Sequence, residues 1–147
     1  MTFGKALEGV AYTERPAAYA VVAGESGTVA AVRGASGMTF LPGGGSLPGE
    51  SAEDTVRREV REELARSVRL VRRIGEATQF FYAADEDRHY KMQAVFFLAE
   101  FPDEPSGQGE HELFWLPLGE ATGAFFHVSH AWAVYQGLER NAQRIEV

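Results

Sequence analysis

Cysteine is absent from the 147-residue chain, which excludes disulfides, thiolate nucleophiles and cysteine-based zinc sites. Long apolar runs are missing too: AAYAVVA and AVFFLA fall far short of the ~20 residues that a spanning helix needs. The opening MTFGKALEGVAY has no hydrophobic stretch of the kind that directs secretion, so a cytoplasmic protein with no membrane contact is expected. Basic residues are outnumbered, 14 Lys and Arg against 21 Asp and Glu, for a formal net charge of −7. A surface that tracks a nucleic-acid polymer needs clustered cations to displace counterions, so such a polymer is not an expected partner. A small anionic ligand in a local pocket remains compatible with this charge. No repeat or linker interrupts the chain, and a single domain over residues 1–147 is expected, with the oligomeric state, including a homodimer, left open.

What is present alternates between extended and helical patterns. Ala17 to Ala23 and Thr28 to Arg33 read as strands joined across GESG, and together as a hairpin. Met38 to Leu41 runs into the glycine-rich PGGGSLPGE, which delivers the chain to a helix capped by Ser51, with Asp54 three positions on. That helix starts at Ala52 and places Ala52, Val56, Val60 and Leu64 on one apolar face. Four β-rich segments follow, Val68–Ile74, Ala77–Ala83, Met92–Phe101 and Leu113–Leu116, then a helix from Ser129 to about Asn141, capped by Ser129. Strands on both sides of a helix, closed by a second helix, indicate a mixed-sheet α/β or α+β sandwich.

The charged segment REVREELAR, Arg58 to Arg66, supports two readings. Glu53 with Arg57, Asp54 with Arg58 and Glu62 with Arg66 are acid-before-base pairs four apart, as on a solvated helix face. Yet Glu59, Glu62 and Glu63 share an arc of roughly 100° on that helix, where they repel one another unless a cation intervenes. Hard divalent ions such as Mg²⁺ take carboxylate and carbonyl oxygens and complete their shell with phosphate. The preceding Gly43, Gly44 and Gly45 let backbone approach a ligand closely.

Gly44, Glu50, Arg58, Glu59, Val60, Glu62 and Glu63 fall at the spacing G-x5-E-x7-R-E-U-x-E-E, U being a bulky aliphatic. This resembles the Nudix box of MutT-like hydrolases, which ends in x-G-U; here Ala65-Arg66 replaces the final Gly-U. AAYAVV, FLPGG, FFY and FWLPLGEA also resemble parts of a MutT-type domain. The resemblance implies the Nudix α/β/α sandwich, a mixed sheet with a catalytic loop-helix-loop and a carboxy-terminal helix. It also implies Mg²⁺-dependent hydrolysis, with Mn²⁺ an alternative ion, of a phosphoanhydride bond in a nucleotide, either a nucleoside triphosphate or a dinucleoside polyphosphate. A non-catalytic nucleotide sensor is the alternative.

By that resemblance Gly44, Glu59, Glu62 and Glu63 would face the metal, Glu59 would take the proton from water, Arg58 would orient Glu59, and Glu50 would brace the loop. An acid from a later loop, Glu110 or Glu112, is the second choice for the base. Phe40, Phe81 and Tyr82 could stack a base, and Arg33 and Lys91 could meet phosphates. In the family a Tyr at the place of Tyr82 has been associated with dinucleoside polyphosphates. His127 and His130 suit capping or packing better than metal binding, and His89 and His111 receive no role. With Gly absent at the end of the box, the helix is expected to shift its end or run on, which would let Arg66 pair with Glu62.

Overall fold

The computed structural model describes residues 1–139. Its strands are β1 (Thr2–Phe3), β2 (Thr13–Val22), β3 (Thr28–Arg33), β4 (Thr39–Phe40), β5 (Gly43–Gly45), β6 (Arg69–Ala83), β7 (Arg88–Glu100) and β8 (Glu112–Pro117). Helix α1 (Ala52–Leu64) separates β5 from β6, and α2 (Ala121–Ala124) and α3 (Val128–Val134) follow β8, with a π-helical turn over Tyr135–Glu139. A five-stranded mixed sheet has the order β1-β6-β7-β2-β5, and a three-stranded sheet the order β4-β3-β8. Among the described residues no helix is long and apolar enough to cross a membrane.

Strand β2 is the centre of the core. Ala17 to Val22 are all buried, as expected of a strand covered on both faces. Ala17, Tyr19 and Val21 pack with Met92, Phe96 and Ala133 and Val134 of α3, whereas Ala18, Ala20 and Val22 pack with Val56, Val60 and Leu64 of α1. The sheet is thus sandwiched between helices, and the apolar stripe read from the sequence fixes which face of α1 is inward. The opposite face carries the acids.

Three expectations need correction. β2 and β3 do not form a hairpin and share only an isolated bridge, Ala23 with Val29. Both edges of β2 are already taken, by β7 from Thr13 to Val22 and by β5 from Ala17 to Tyr19, so β3 pairs with β4 and β8 instead. The two segments Val68–Ile74 and Ala77–Ala83 are one strand, because the break near Gly75 is a pair of register shifts against β7, which bend a strand without ending it. The last helix starts at Val128 with His127 at the cap and no side-chain capping bond. Ser129 instead donates its N–H to Gln79 Oε1 at 3.0 Å; Asn141 lies outside the described residues.

The amino end of α1 follows the sequence, with Ser51 Oγ accepting from Asp54 N at 3.1 Å. The carboxyl end does not. The helix neither shifts nor extends: it stops at Leu64, and Ala65 turns left-handed at φ 53°, ψ 40°. The loop before β8 imposes this ending. Ser106 donates N–H and Oγ–H to Ala65 O (2.8 and 3.0 Å), and Glu110 N and His111 N donate to Glu62 O and Glu63 O (3.0 and 2.9 Å). Gly109 lies so close that an added Cβ would sit 2.1 Å from Glu63 O. Arg66 does not pair with Glu62; it donates to Asp103 O at 2.7 Å and lies over the Phe101 ring at 4.1 Å.

Satisfied carbonyls offset the strain at Ala65, so glycine there should stabilise the fold. Ala65→Gly is expected to raise the unfolding free energy by about 1 kcal/mol, the left-handed penalty less the added chain entropy. A urea titration with an unchanged or lower midpoint would contradict the strain.

Candidate active site

The site begins with β5, three glycines laid antiparallel along β2 so that Gly43 opposes Tyr19 and Gly44 opposes Ala18. At Gly43 φ is 142° and a Cβ would fall 2.2 Å from Ala18 O, so no other residue fits. A Cβ on Gly44 would lie 2.7 Å from the carboxyl carbon of Glu59. Bare backbone at this point is what lets the acids of α1 reach the sheet.

Arg58 organises those acids. Its Nε and Nη2 donate to Glu50 (2.8 and 3.0 Å), Nη2 also to Gly45 O (2.9 Å), and Nη1 to Glu59 Oε1 (3.0 Å) and Glu62 Oε2 (3.2 Å). The sequence pairing of Asp54 with Arg58 is therefore displaced; Asp54 meets Arg57 at 3.4 Å. Glu50 also accepts from Leu47 N and Thr55 Oγ1 (3.0 and 2.8 Å), and its carboxyl is held down at about 2 by the Arg58 guanidinium first and the Leu47 N–H next.

Glu63 is 5% exposed. Its Oε1 accepts from Gly43 N at 2.9 Å, and its Oε2 lies 3.1 Å from His111 Nδ1 in a contact too poorly aligned to satisfy that nitrogen. Burial, above all, pushes its pKa up to about 8, with repulsion from Glu59, Glu110 and Glu62 adding to the rise. Burial raises Glu59 as well. Of the two later acids, Glu110 is near enough to Glu63 to contribute to this repulsion, whereas Glu112 stands opposite Arg33 in the small sheet.

The donors are all hard oxygens under mutual repulsion, which fits a divalent cation of the Mg²⁺ class. Among the described residues, no three acid or imidazole side chains yet enclose a common point. Arg58 draws Glu59 and Glu62 to itself, and Gly43 N–H holds Glu63. Glu59, Glu62 and Glu63, with the Gly44 carbonyl, are the groups that would hold such an ion.

Beside the acids lies a cavity of about 400 Å³ whose wall includes Arg15, Tyr19, Phe40, Phe81, Phe126 and His127. Phe40 and Phe81 are therefore where a base-stacking role requires them. Tyr82, Arg33 and Lys91 are not in the wall: Tyr82 is 43% exposed with its hydroxyl on Asp87 at 2.6 Å, Arg33 lies over Phe114 at 4.7 Å, and Lys91 is 3.9 Å from Glu14. Strand alternation explains Tyr82, since its neighbour Phe81 takes the cavity face.

The cation of the cavity is Arg15, which lies over the Tyr90 ring at 5.4 Å and is felt by both Glu59 and His127. A strand read from Ala17 omits it; carried back to Thr13, alternation puts Arg15 on the face of Tyr19. Phe126, His127 and His111 also went unassigned to the site. His130 Nδ1 accepts from Leu41 N at 3.1 Å, a packing role, and burial lowers the pKa values of both His127, to about 4, and His130.

The family model described as the NUDIX domain matches residues 13–137. No curated protein matches the chain. Among solved structures, the MutT protein from Methanosarcina mazei Go1 is 21% identical, with a TM-score of 0.67 over 97% of this chain and 100% of that one. An ADP-ribose pyrophosphatase from Streptococcus suis 89-1591 is 21% identical, with a TM-score of 0.63 over 88% and 92%. A MutT NUDIX hydrolase from Burkholderia pseudomallei is 26% identical, with a TM-score of 0.60 over 84% and 98%.

The raised pKa of Glu63 has a pH signature. A carboxyl whose folded pKa exceeds its unfolded value contributes stability fully below the unfolded value and loses it as pH rises through the folded one. Metal-free protein should therefore lose stability to Glu63 between about pH 4.5 and pH 8. The buried histidines act oppositely, since their lowered pKa values make acid destabilising, so the difference between wild type and Glu63→Gln isolates the carboxyl. That difference should shift in favour of the variant from pH 5 to 8 in chemical denaturation with chelator present; a flat difference would mean Glu63 is already ionised.

Proposed function

The chain belongs to the NUDIX family and is a hydrolase acting on phosphoanhydride bonds, and we propose that it cleaves a nucleotide, a nucleoside triphosphate or dinucleoside polyphosphate, with Mg²⁺, Mn²⁺ being able to substitute. The observation that carries this reading is the adjacency of the acid cluster to an aromatic cavity, with Arg15 between them. A polar, anion-handling end and a flat apolar end suit a phosphate chain and a base, respectively.

The divalent ion, when bound, neutralises phosphate oxygens and lowers the pKa of water. Glu59 receives the proton of the attacking water. Its carboxyl is raised by burial, which makes it a stronger base than a solvated carboxylate; Glu110 is the second candidate. The water oxygen forms the new bond to phosphorus as the bond to the bridging oxygen breaks, and the departing phosphate carries away that electron pair. Arg58 holds Glu59 in place, and Glu50 holds Arg58 by accepting from its Nε and Nη2. Arg15 faces the phosphates at the mouth of the cavity, where no carboxylate competes for it within ion-pair distance among the described residues.

The replacement of the final Gly-aliphatic pair by Ala65-Arg66 would be the reason to prefer a sensor without turnover. Ala65 makes the left-handed bend all the same, and Glu59, Glu62 and Glu63 are all present, which supports turnover over sensing alone.

Incubation with Mg²⁺ and a panel of nucleoside di- and triphosphate derivatives, followed by identification of the phosphate products, tests the reading. Absence of turnover across the panel, with nucleotide binding retained, would sink it. Glu63→Gln should lower kcat by on the order of 10²-fold or more while the protein stays folded. Arg15→Ala should raise KM about tenfold with a smaller change in kcat, as expected of a lost charge-assisted contact.

A further inference from the structure

The cavity wall contains a polar side chain, His127, that hydrolysis leaves unused. His127 is 3% exposed, and its Nδ1 is buried without a hydrogen-bond partner. Aromatic rings surround it: Phe81 at 4.5 Å, Phe126 at 4.8 Å and Phe40 at 5.6 Å between centroids. Phe81 is in turn fixed by a stacked contact with Tyr90 at 5.3 Å. A nitrogen desolvated without a partner works against folding, and packing gives no reason to keep it, since phenylalanine would fill the same place. Its neighbour His130 has Nδ1 satisfied by Leu41 N and an Nε2 that is likewise buried without a partner, but only His127 of the two lines the cavity.

Resting on the nucleotide reading above, we propose that His127 determines specificity, its ring nitrogen hydrogen-bonding to the edge of a nucleobase held against Phe81, Phe40 and Phe126. Burial keeps the imidazole neutral, so it suits the edge of an uncharged heterocycle and not a phosphate, for which Arg15 is placed. No Asn or Gln lines the cavity, so the bidentate pairing that those amides make with adenine is missing, and the other polar side chains of the wall include Arg15, Ser36, Asp85, Glu86 and His111. The His127 contact recognises that a base is present, so nucleotides are favoured over base-free diphosphate esters.

Adenosine binding to the metal-free protein tests this apart from turnover. His127→Phe should weaken adenosine about tenfold and raise KM for a nucleotide substrate by a similar factor, the loss of one neutral hydrogen bond. Its kcat should stay within about threefold, and its Tm should equal or exceed that of wild type. His127→Asn, which keeps a polar edge, should retain part of the affinity. Equal adenosine affinity in wild type and both variants would overturn the assignment, as would a fall in Tm that alone accounts for the lost binding. His127-dependent adenosine binding without turnover of any nucleotide would leave this assignment standing and remove the hydrolase reading. Turnover without adenosine binding would remove this assignment alone.

Discussion

The geometry of the site hangs on one guanidinium. Arg58 donates to Glu50, Gly45 O, Glu59 and Glu62 at once, and so ties the loop that enters α1, the glycine strand β5 and two acids of the helix into one unit. Only arginine can do this, because its planar fork presents five donors in fixed directions and keeps its charge at any ordinary pH. Lysine would supply the charge but not the fork.

Around that unit the electrostatics are deliberately unfavourable. Glu59 and Glu63 are pressed against β5, desolvated and in each other's field, and their pKa values rise accordingly, while Glu50, which accepts from Arg58 and Leu47 N, is held low. Three acids close in sequence thus behave differently because burial and partners differ, not because the side chains do. Such a cluster stores repulsion that a divalent cation would relieve, and it sits where the glycines expose backbone to the same space.

The loop ahead of β8 completes the arrangement. Its N–H groups cap the last carbonyls of α1, and the same few residues bring His111 to Glu63 and Glu110 into the acid field. Helix termination and site assembly are therefore one event, and a substitution at Gly109 or Ser106 would disturb both. The left-handed Ala65 shows that tertiary hydrogen bonds can impose a conformation that intrinsic preference disfavours.

Much of this was legible in the sequence because it is local or periodic. The start of α1 at Ser51, its buried stripe at Val56, Val60 and Leu64, and the shared arc of Glu59, Glu62 and Glu63 follow from helical spacing alone, and the spacing from Gly44 to Glu63 points to the family. What depended on distant chain was not legible. β3 leaves β2 because β5 and β7 hold both its edges, Arg66 turns to Asp103 because that loop lies there, and Tyr82 faces away while Phe81 faces in because the pairing of β6 with β7 sets the phase. The cavity lies wholly in this second class: Arg15 on β2, Phe81 on β6 and His127 before α3 are far apart in the chain, and only the packing of the sheet against α3 makes them neighbours. Sequence determined which residues could carry the chemistry, through spacing within one helix; the tertiary structure decided what stands beside them, since hydrogen-bonded register and burial exist only once the sheet has formed.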